Sequence, residues 1–451
     1  MKKISNRIVS LAVILCVGLS VLTGCGNNNT QTASSEQETP TKPVSDKTNE
    51  DVDLQDKLQT KSLTLMASQN WIKDVDRELF KSFEEETGIE VKILLTPDNG
   101  YETLLGTTLS GGSNAVDIFM YPAGYEMISA GLPEIALDLS GETWVANYED
   151  WAKEVNSYND SVIGFSTWGV DYEGILYNKT FFEENNLKAP TTWDEFLKLC
   201  DDIKALGVTP LYEGINGVWH TQSWVYGLTP VIAAEKPDYI EYLNSSKDNK
   251  LADFTSLKKG LEQIEGLLSD STNFTNDGQA EDWFGSYPSL GDRETVMMFT
   301  YSAYAAELAA NGNTDEWGMF PVPMLDNKIG ISNGGGISKF INKNSDNIDA
   351  SKVLLDFLAK DESLEKYYGA RTDLVTSSFK NVESVKPTTA TTDMLENTSD
   401  IPQVMLNKNV LYWDSNLYQY LQGLATGSMD VDTLINNMDA YRAVMFDTAA
   451  Q

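Results

Sequence analysis

Ten tryptophans and twenty tyrosines are the residues of this sequence best suited to recognising a small molecule. Many of them fall in polar or Gly-rich stretches, where no apolar stripe needs them. An aromatic face offers broad apolar area at small rotamer cost, which suits the C–H face of a pyranose ring, while nearby Asp, Asn and Glu accept hydroxyl hydrogen bonds. Trp71 and Tyr121 each follow a strand-like run, at the expected carboxyl end. Trp219, His220 and Trp224 cluster after Gly217. The competing reading of that cluster is a loop packed on its own domain, and a lone histidine is more often structural than a ligand.

Bond-making chemistry is poorly supplied. His220 is the single histidine, so there is no His-rich metal cluster, and a Ser/His or Cys/His pair could be built only around that residue. Asn333-Gly334-Gly335-Gly336 lacks the Lys-Ser/Thr of a phosphate-cradling loop. Asn273 to Gly278 echoes a calcium loop, but Phe284 stands where the bidentate Glu belongs. Carboxylates are so abundant that no one pair is informative as acid and base. The expectation is therefore no catalytic residue, no metal, no cofactor and no enzyme activity. With 33 Lys and Arg against 67 Asp and Glu, net −34, the chain repels phosphate backbones, and nucleic acid is not an expected partner.

The elements that must position these residues follow from patterning. At 451 residues, with 41% hydrophobic and 22% charged, the chain should fold into two or three domains of about 150 residues each. Ser62 to Ala67 alternates like a strand. Val75, Leu79, Phe80 and Phe83 then recur at helical spacing until Gly88, and strands are predicted at Ile89–Leu95 and, after Gly111-Gly112, Val116–Met120. Such alternation indicates an α/β fold with a mainly parallel sheet, in which ligands sit beyond the carboxyl ends of strands. Thr192 and Glu195 form a capping box opening a helix with Phe196, Leu197, Cys200, Ile203 and Leu206 on one face, ended by Gly207. Trp193 and Cys200 are expected in the core. A second helix, Asp349–Lys360, carries Val353, Leu354, Phe357 and Leu358 as its stripe.

Lys2, Lys3 and Arg7 precede a charge-free apolar run from Ile8 to Leu22, as in a secretory signal and too short for a comfortable membrane span. The run ends in Leu22-Thr23-Gly24-Cys25, which resembles the lipobox of bacterial lipoproteins. That resemblance implies removal of residues 1–24 as a signal peptide and lipidation of Cys25. Cys16 would be lost and Cys25 blocked, leaving Cys200 with no disulfide partner. Residues 25–60 are polar and Pro-containing, with no aromatic residue before Trp71. They read as a disordered tether of about 30–35 Å root-mean-square reach.

Several segments together resemble the extracellular solute-binding proteins of family 1, the maltose-binding-like sugar receptors of ABC importers. Leu79 to Val91 is similar to the family's opening helix and "tGikV" strand, and Leu109 to Ile118 to its "asG..pDv" segment. The most specific stretch runs from Gly174-Ile175-Leu176-Tyr177-Asn178-Lys179 through Phe182 to Pro190-Thr191-Thr192-Trp193-Asp194-Glu195-Phe196, against "YNK..F...gl..P.TWdEf". Phe320-Pro321-Val322-Pro323 and Gly334-Gly335-Gly336-Ile337-Ser338 follow in the family's order. Arg293 to Met297 lacks the glycines of the corresponding motif, and the usual Pro before the first crossover is replaced near Trp168-Gly169.

The resemblance implies a two-lobed, periplasmic-binding-protein-like fold of type II, joined by crossover hinge segments near Trp168–Asp171, Met298–Tyr301 and Ile331–Gly335. It places residues 61–168 and 301–331 in an N-terminal lobe, and 171–298 and 335–451 in a C-terminal lobe. It brings Trp168, Asp171 and Tyr172 to the first crossover, Trp283 and Tyr301 beside the altered motif, and Trp413 with Asp414 to a late loop where related receptors stack an aromatic on ligand. The implied function is a monomeric receptor, lipid-anchored on the extracytoplasmic face of the cell membrane. It would bind a carbohydrate, an oligosaccharide in particular, between the lobes and pass it by hinge closure to a permease served by a separate ATPase. The rivals are a secreted carbohydrate-active enzyme, a sugar co-receptor for a sensor kinase, and a receptor for a peptide or polyamine.

Overall fold

The computed structural model describes residue 58 and residues 60–449, save for 98–99, 111–115, 214–219, 276–282, 334, 372–373, 375, 383–387, 399–402 and 415. The signal sequence, Cys25 and nearly all of the tether lie outside the described residues.

Two sheets organise the chain, one to each lobe. The first has the order β11-β3-β1-β2, from Ser62–Ser68 (β1), Glu90–Thr96 (β2), Ile118–Pro122 (β3) and Ile337–Ile341 (β11). β1 runs parallel to β2 and β3, and β11 is antiparallel to β3. The three early strands and the helix Asp74–Thr87 lie within two residues of the pattern-based positions, and Val75, Leu79, Phe80 and Phe83 all enter the core. A small hairpin, Ser157–Tyr158 (β4) with Ser161–Val162 (β5), precedes the first crossing.

The second sheet is built around Tyr172–Asn178 (β6). Its other strands are Thr209–Tyr212 (β7), Thr295–Tyr301 (β8), Trp317–Phe320 (β9), Ile331–Ser332 (β10) and Gln403–Val404 (β12). β6 runs antiparallel to β8, β9 and β10, so this sheet departs from the mainly parallel expectation; only β7–β8 and β10–β12 are parallel. Residues 172–178 are buried beyond Tyr172, because β6 has a strand on each edge and helices over its faces.

Strand pairing corrects the lobe boundaries. Residues 301–331 stay with the second lobe, since Trp317 of β9 pairs with Asn178 of β6. Residues 337–379 return to the first, since Ile341 of β11 pairs with Ile118 and Phe379 bridges Tyr148. Met298–Tyr301 is therefore an interior strand end and not a crossing. The chain crosses near 165–172, near 332–337, and between Phe379 and the helix Thr389–Asn397, whose Asp393 accepts from Tyr177 Oη at 3.1 Å and Lys179 Nζ at 3.0 Å in the second lobe. Only long-range pairing carries that information, because β8 and β11 are both short apolar runs.

The helix Trp193–Ala205 begins at the expected N-cap, where Thr192 Oγ1 accepts from Glu195 N–H at 3.2 Å, while Glu195 Oε2 accepts from Thr191 N–H at 2.8 Å, one residue before the partner a capping box uses. Trp193 and Cys200 are core residues, burial pushing the Cys200 thiol up to about 12. The stripe differs from expectation. Leu199 is inside, while Leu197 and Leu206 face solvent.

Candidate functional site

On the first lobe, aromatic residues gather beyond the carboxyl ends of β1 and β3. Trp71 is half-buried and meets Tyr101 edge-on with ring centroids 4.8 Å apart. Tyr121 donates its hydroxyl to Glu102 Oε1 at 2.7 Å. Burial, reinforced by the adjacent Glu102, raises that hydroxyl well above its ordinary value and keeps it a donor.

The second lobe answers with a larger wall. Trp283 lies parallel to Tyr301 at 5.8 Å and edge-on to Tyr304 at 4.8 Å, and Tyr287 stacks on Tyr304 at 5.3 Å. The hydroxyls of Tyr287 and Tyr301 both donate to Glu307, at 2.7 and 2.9 Å. Glu307, on the helix Tyr304–Ala310, also meets Lys73 of the first lobe at 3.9 Å. This wall therefore faces the opposite lobe. Trp283 and Tyr301, both sequence candidates, thus pack together with Tyr287, Tyr304 and Glu307, which carry no motif of their own.

Trp168 sits where the crossings converge. The Arg371 guanidinium lies over its ring at 4.6 Å and Lys73 Nζ at 5.9 Å. A Cβ on Gly336, whose φ is +54°, would meet Trp168 Cβ at 2.7 Å, and one on Gly169 would fall 1.9 Å from the Thr376 carbonyl oxygen. Gly169 excludes a side chain because the Thr376 backbone passes too closely, and Gly336 because the Trp168 side chain fills the space and its φ is positive. Ser378 Oγ donates to the Trp168 carbonyl. Trp168 thus ties all three crossings together. Asp171 does similar work: it accepts from Ser302 Oγ, from Ala303 N–H at 3.2 Å and from Tyr172 N–H at 2.9 Å, fixing the turn into the helix Tyr304–Ala310. Tyr172 is half-buried beside the second wall.

Trp224 and His220 lie behind that wall and not on it. Trp224 is 0% exposed and donates Nε1–H to Glu213 Oε2 at 2.7 Å. His220 places Nδ1 3.0 Å from Glu213 Oε1 and Nε2 2.5 Å from the Phe299 carbonyl, so both ring nitrogens face acceptors. Burial opposes its charge, but Glu213 and the Phe299 carbonyl overcome that and raise its pKa. Thr221 Oγ1 adds a bond to Glu213 at 3.0 Å. This network holds His220 and Trp224 in the core of the second lobe, with the His220 ring 5.4 Å from that of Trp283. Trp219 lies outside the described residues. Asp414 is buried just before the helix Leu417–Ala425 and accepts from Asn416 N–H at 2.9 Å and from Tyr420 Oη at 2.8 Å.

The lobes touch directly at the helix Tyr125–Ser129. Its Glu126 accepts from Lys408 Nζ at 2.6 Å and from Asn407 Nδ2, both on Leu406–Asn409 of the second lobe, and Ser129 Oγ accepts from Tyr412 N–H at 3.0 Å. Three buried polar atoms here have no hydrogen-bond partner among the described residues: Glu173 Oε2, Asn407 Oδ1 and Trp413 Nε1. Tyr226 stands near two of the three residues, its hydroxyl facing the Trp413 indole and raised by burial and by the charges of Glu126 and Glu173. Glu173 was missed in the sequence, where it is one polar residue at the start of a strand.

The match that decides the family spans residues 68–365, which fit the model for bacterial extracellular solute-binding proteins. The chain belongs to this family. Among curated relatives of this solute-binding protein is the multiple sugar-binding protein of Streptococcus mutans serotype c. It is 25% identical over 310 residues, 66% of this chain and 72% of the relative. Among solved structures, a chitin oligosaccharide binding protein aligns with TM-score 0.71 at 18% identity, over 87% of this chain and all of that one. A RafE protein in complex with raffinose aligns with TM-score 0.69 at 20% identity, over 86% of this chain and all of that one. These likenesses establish the two-lobed fold.

The solute-binding protein also has a groove of about 380 Å³ on the outer side of its second lobe, between the helices Trp193–Ala205 and Thr255–Ser269. Lys204 there is already paired with Asp201 at 2.9 Å and Asp270 at 3.6 Å. It offers no aromatic face apart from Trp193, which the core holds. Among the described residues no group of His, Cys, Asp and Glu is placed to hold a metal ion, and no helix is long and apolar enough to cross a membrane.

Proposed function

We propose that this chain is the carbohydrate receptor of an ABC importer. It holds an oligosaccharide between its lobes and delivers it to a permease by hinge closure, with ATP hydrolysis left to a separate subunit. The observation that carries this reading is the pair of facing aromatic walls, each ending in tyrosine hydroxyls bonded to a carboxylate: Tyr121 to Glu102, and Tyr287 and Tyr301 to Glu307. Sugar rings present apolar C–H faces and hydroxyl edges together, and such walls match both. Trp71, Tyr121, Tyr172, Trp283, Tyr301 and Trp413 are the proposed contacts, with Trp168 and Asp171 at the hinge. The sugar-named relatives support the ligand class, and closure is favoured because only the closed form surrounds the ligand with both walls.

In the same reading, Cys25 carries a lipid that keeps a monomeric receptor on the outer face of the membrane. The direct test is a thermal-shift panel of mono- and oligosaccharides, raffinose and chitotriose among them, on the full purified chain. A ligand at about 1,000 times its dissociation constant should add roughly 4 kcal/mol. Chromatography of the recovered sugar separates receptor from enzyme: intact sugar supports the proposal, and cleaved product overturns it.

A further inference from the structure

The three unpartnered atoms at the meeting of the lobes make a defined chemical demand. Among the described residues Glu173 Oε2 and Asn407 Oδ1 are acceptors with no donor, and Trp413 Nε1 is a donor with nothing nearer than the Tyr226 hydroxyl that faces it. Their parent residues are fixed in place. Glu173 is paired through β6 with Tyr301 on one side and Ile331 on the other, and Asn407 spends its amide N–H on Glu126. A buried polar atom left without a partner costs about 1–3 kcal/mol, more for a charged one. A hydroxyl donates and accepts at once, so a ligand presenting adjacent hydroxyls meets all three demands.

We propose that Glu173, with Asn407 and Trp413, forms a hydroxyl-reading subsite, and that ligand hydroxyls bind the ionised Glu173 carboxylate, so that sugar binding releases a proton to solvent. This rests on the sugar-binding reading above and adds to it a named carboxylate and a proton. The groups facing Glu173 come from four segments. Lys408 lies on Leu406–Asn409, His220 on the turn 220–222, Ser223 on the helix Ser223–Tyr226, and Glu126 on the facing lobe. Burial pushes the Glu173 carboxyl up to about 7, Lys408, His220 and the Ser223 hydroxyl pull it down, and Glu126 pushes it up. The empty protein therefore carries this proton part of the time near neutral pH. Donors from a ligand stabilise the anion, lower the carboxyl, and expel the proton. Affinity then rises as pH rises through the window between the bound and free values, by about tenfold for each unit the ligand lowers it.

The test is calorimetric titration of the full chain with raffinose and, in parallel, chitotriose. Titrations at pH 7 in two buffers of different ionisation enthalpy count protons directly, and further titrations at pH 5.5 and 8.5 give the affinity profile. The wild type should release a fraction of a proton and bind several-fold more tightly at pH 8.5. Glu173→Gln should release none and bind with a flat profile. Lys408→Gln, which removes a charge that lowers the carboxyl, should move the midpoint of the profile to higher pH. Sugar binding with no proton release, or with the same release in Glu173→Gln, overturns this inference and leaves the sugar receptor standing. No binding of either sugar at any pH overturns both.

Discussion

Two buried carboxylates of the second lobe, Glu213 and Glu173, stand in similar surroundings and are treated in opposite ways. His220 influences both; Glu213 bonds the Trp224 indole, and Glu173 acts on Tyr226, whose hydroxyl faces the Trp413 indole. At Glu213 both oxygens are engaged, by His220, Thr221 and Trp224. Among the described residues one oxygen of Glu173 has no hydrogen-bond partner, and the Trp413 indole faces only the Tyr226 hydroxyl. A buried polar group that is fully bonded specifies a fold, whereas one left open where two moving parts meet is placed to be completed by something else. On the proposed reading the first region is scaffold and the second meets the ligand.

Breaking the scaffold should have the largest effect. Glu213→Ala strips His220, Thr221 and Trp224 of a shared buried acceptor and should cost about 3–5 kcal/mol in denaturant unfolding. A loss below about 1 kcal/mol would mean that the network is not closed as described.

Next in size is the pH response of Glu173. Its carboxyl is raised in the folded state, so its contribution to stability is fully present below the unfolded value of 4.5 and is lost as pH rises through about 7. The wild type should lose on the order of 3 kcal/mol from this group between pH 4 and pH 8, and Glu173→Gln should lack that component. Parallel stability curves for the two proteins would contradict the burial assigned to Glu173.

The two indoles give the sharpest contrast. Trp224→Phe strands Glu213 Oε2 and should cost about 1–3 kcal/mol of stability. Trp413→Phe removes an unbonded donor, so stability should hold, while affinity for a bound sugar falls about tenfold, near 1.4 kcal/mol. If the two variants exchange these phenotypes, scaffold and site have been assigned the wrong way round. The smallest effect belongs to the partly exposed contact between the lobes. Glu126→Gln weakens the pairing with Lys408 and should change sugar affinity by no more than about 1 kcal/mol, less at high salt, read by titration at two ionic strengths.

What the sequence disclosed follows the range of the interactions concerned. The helix from Trp193 was legible down to its Thr192 cap, and β1 to β3 to within two residues, because periodicity and capping are local. Trp71, Tyr121, Trp283 and Tyr301 could be singled out as aromatics without a stripe. Trp224 and His220 looked the same in sequence, since the carboxylate that bonds them stands just past the end of β7 and the carbonyl in β8. Glu173 was invisible for the converse reason: the strand pattern hides it, and the charges that tune it stand at Glu126, His220 and Lys408, far along the chain in both directions. The misplaced second crossing has the same origin, as no local feature tells β8 from β11; strand pairing does.

Hydrogen exchange of the full chain, with and without the sugar that most raises its melting temperature, tests the central claim most directly. Slowed exchange should appear together at residues 121–129 of the first lobe and at 172–178, 297–304 and 405–414 of the second. Protection confined to the outer groove between residues 193–205 and 255–269, or to one lobe alone, would contradict a ligand held between the two.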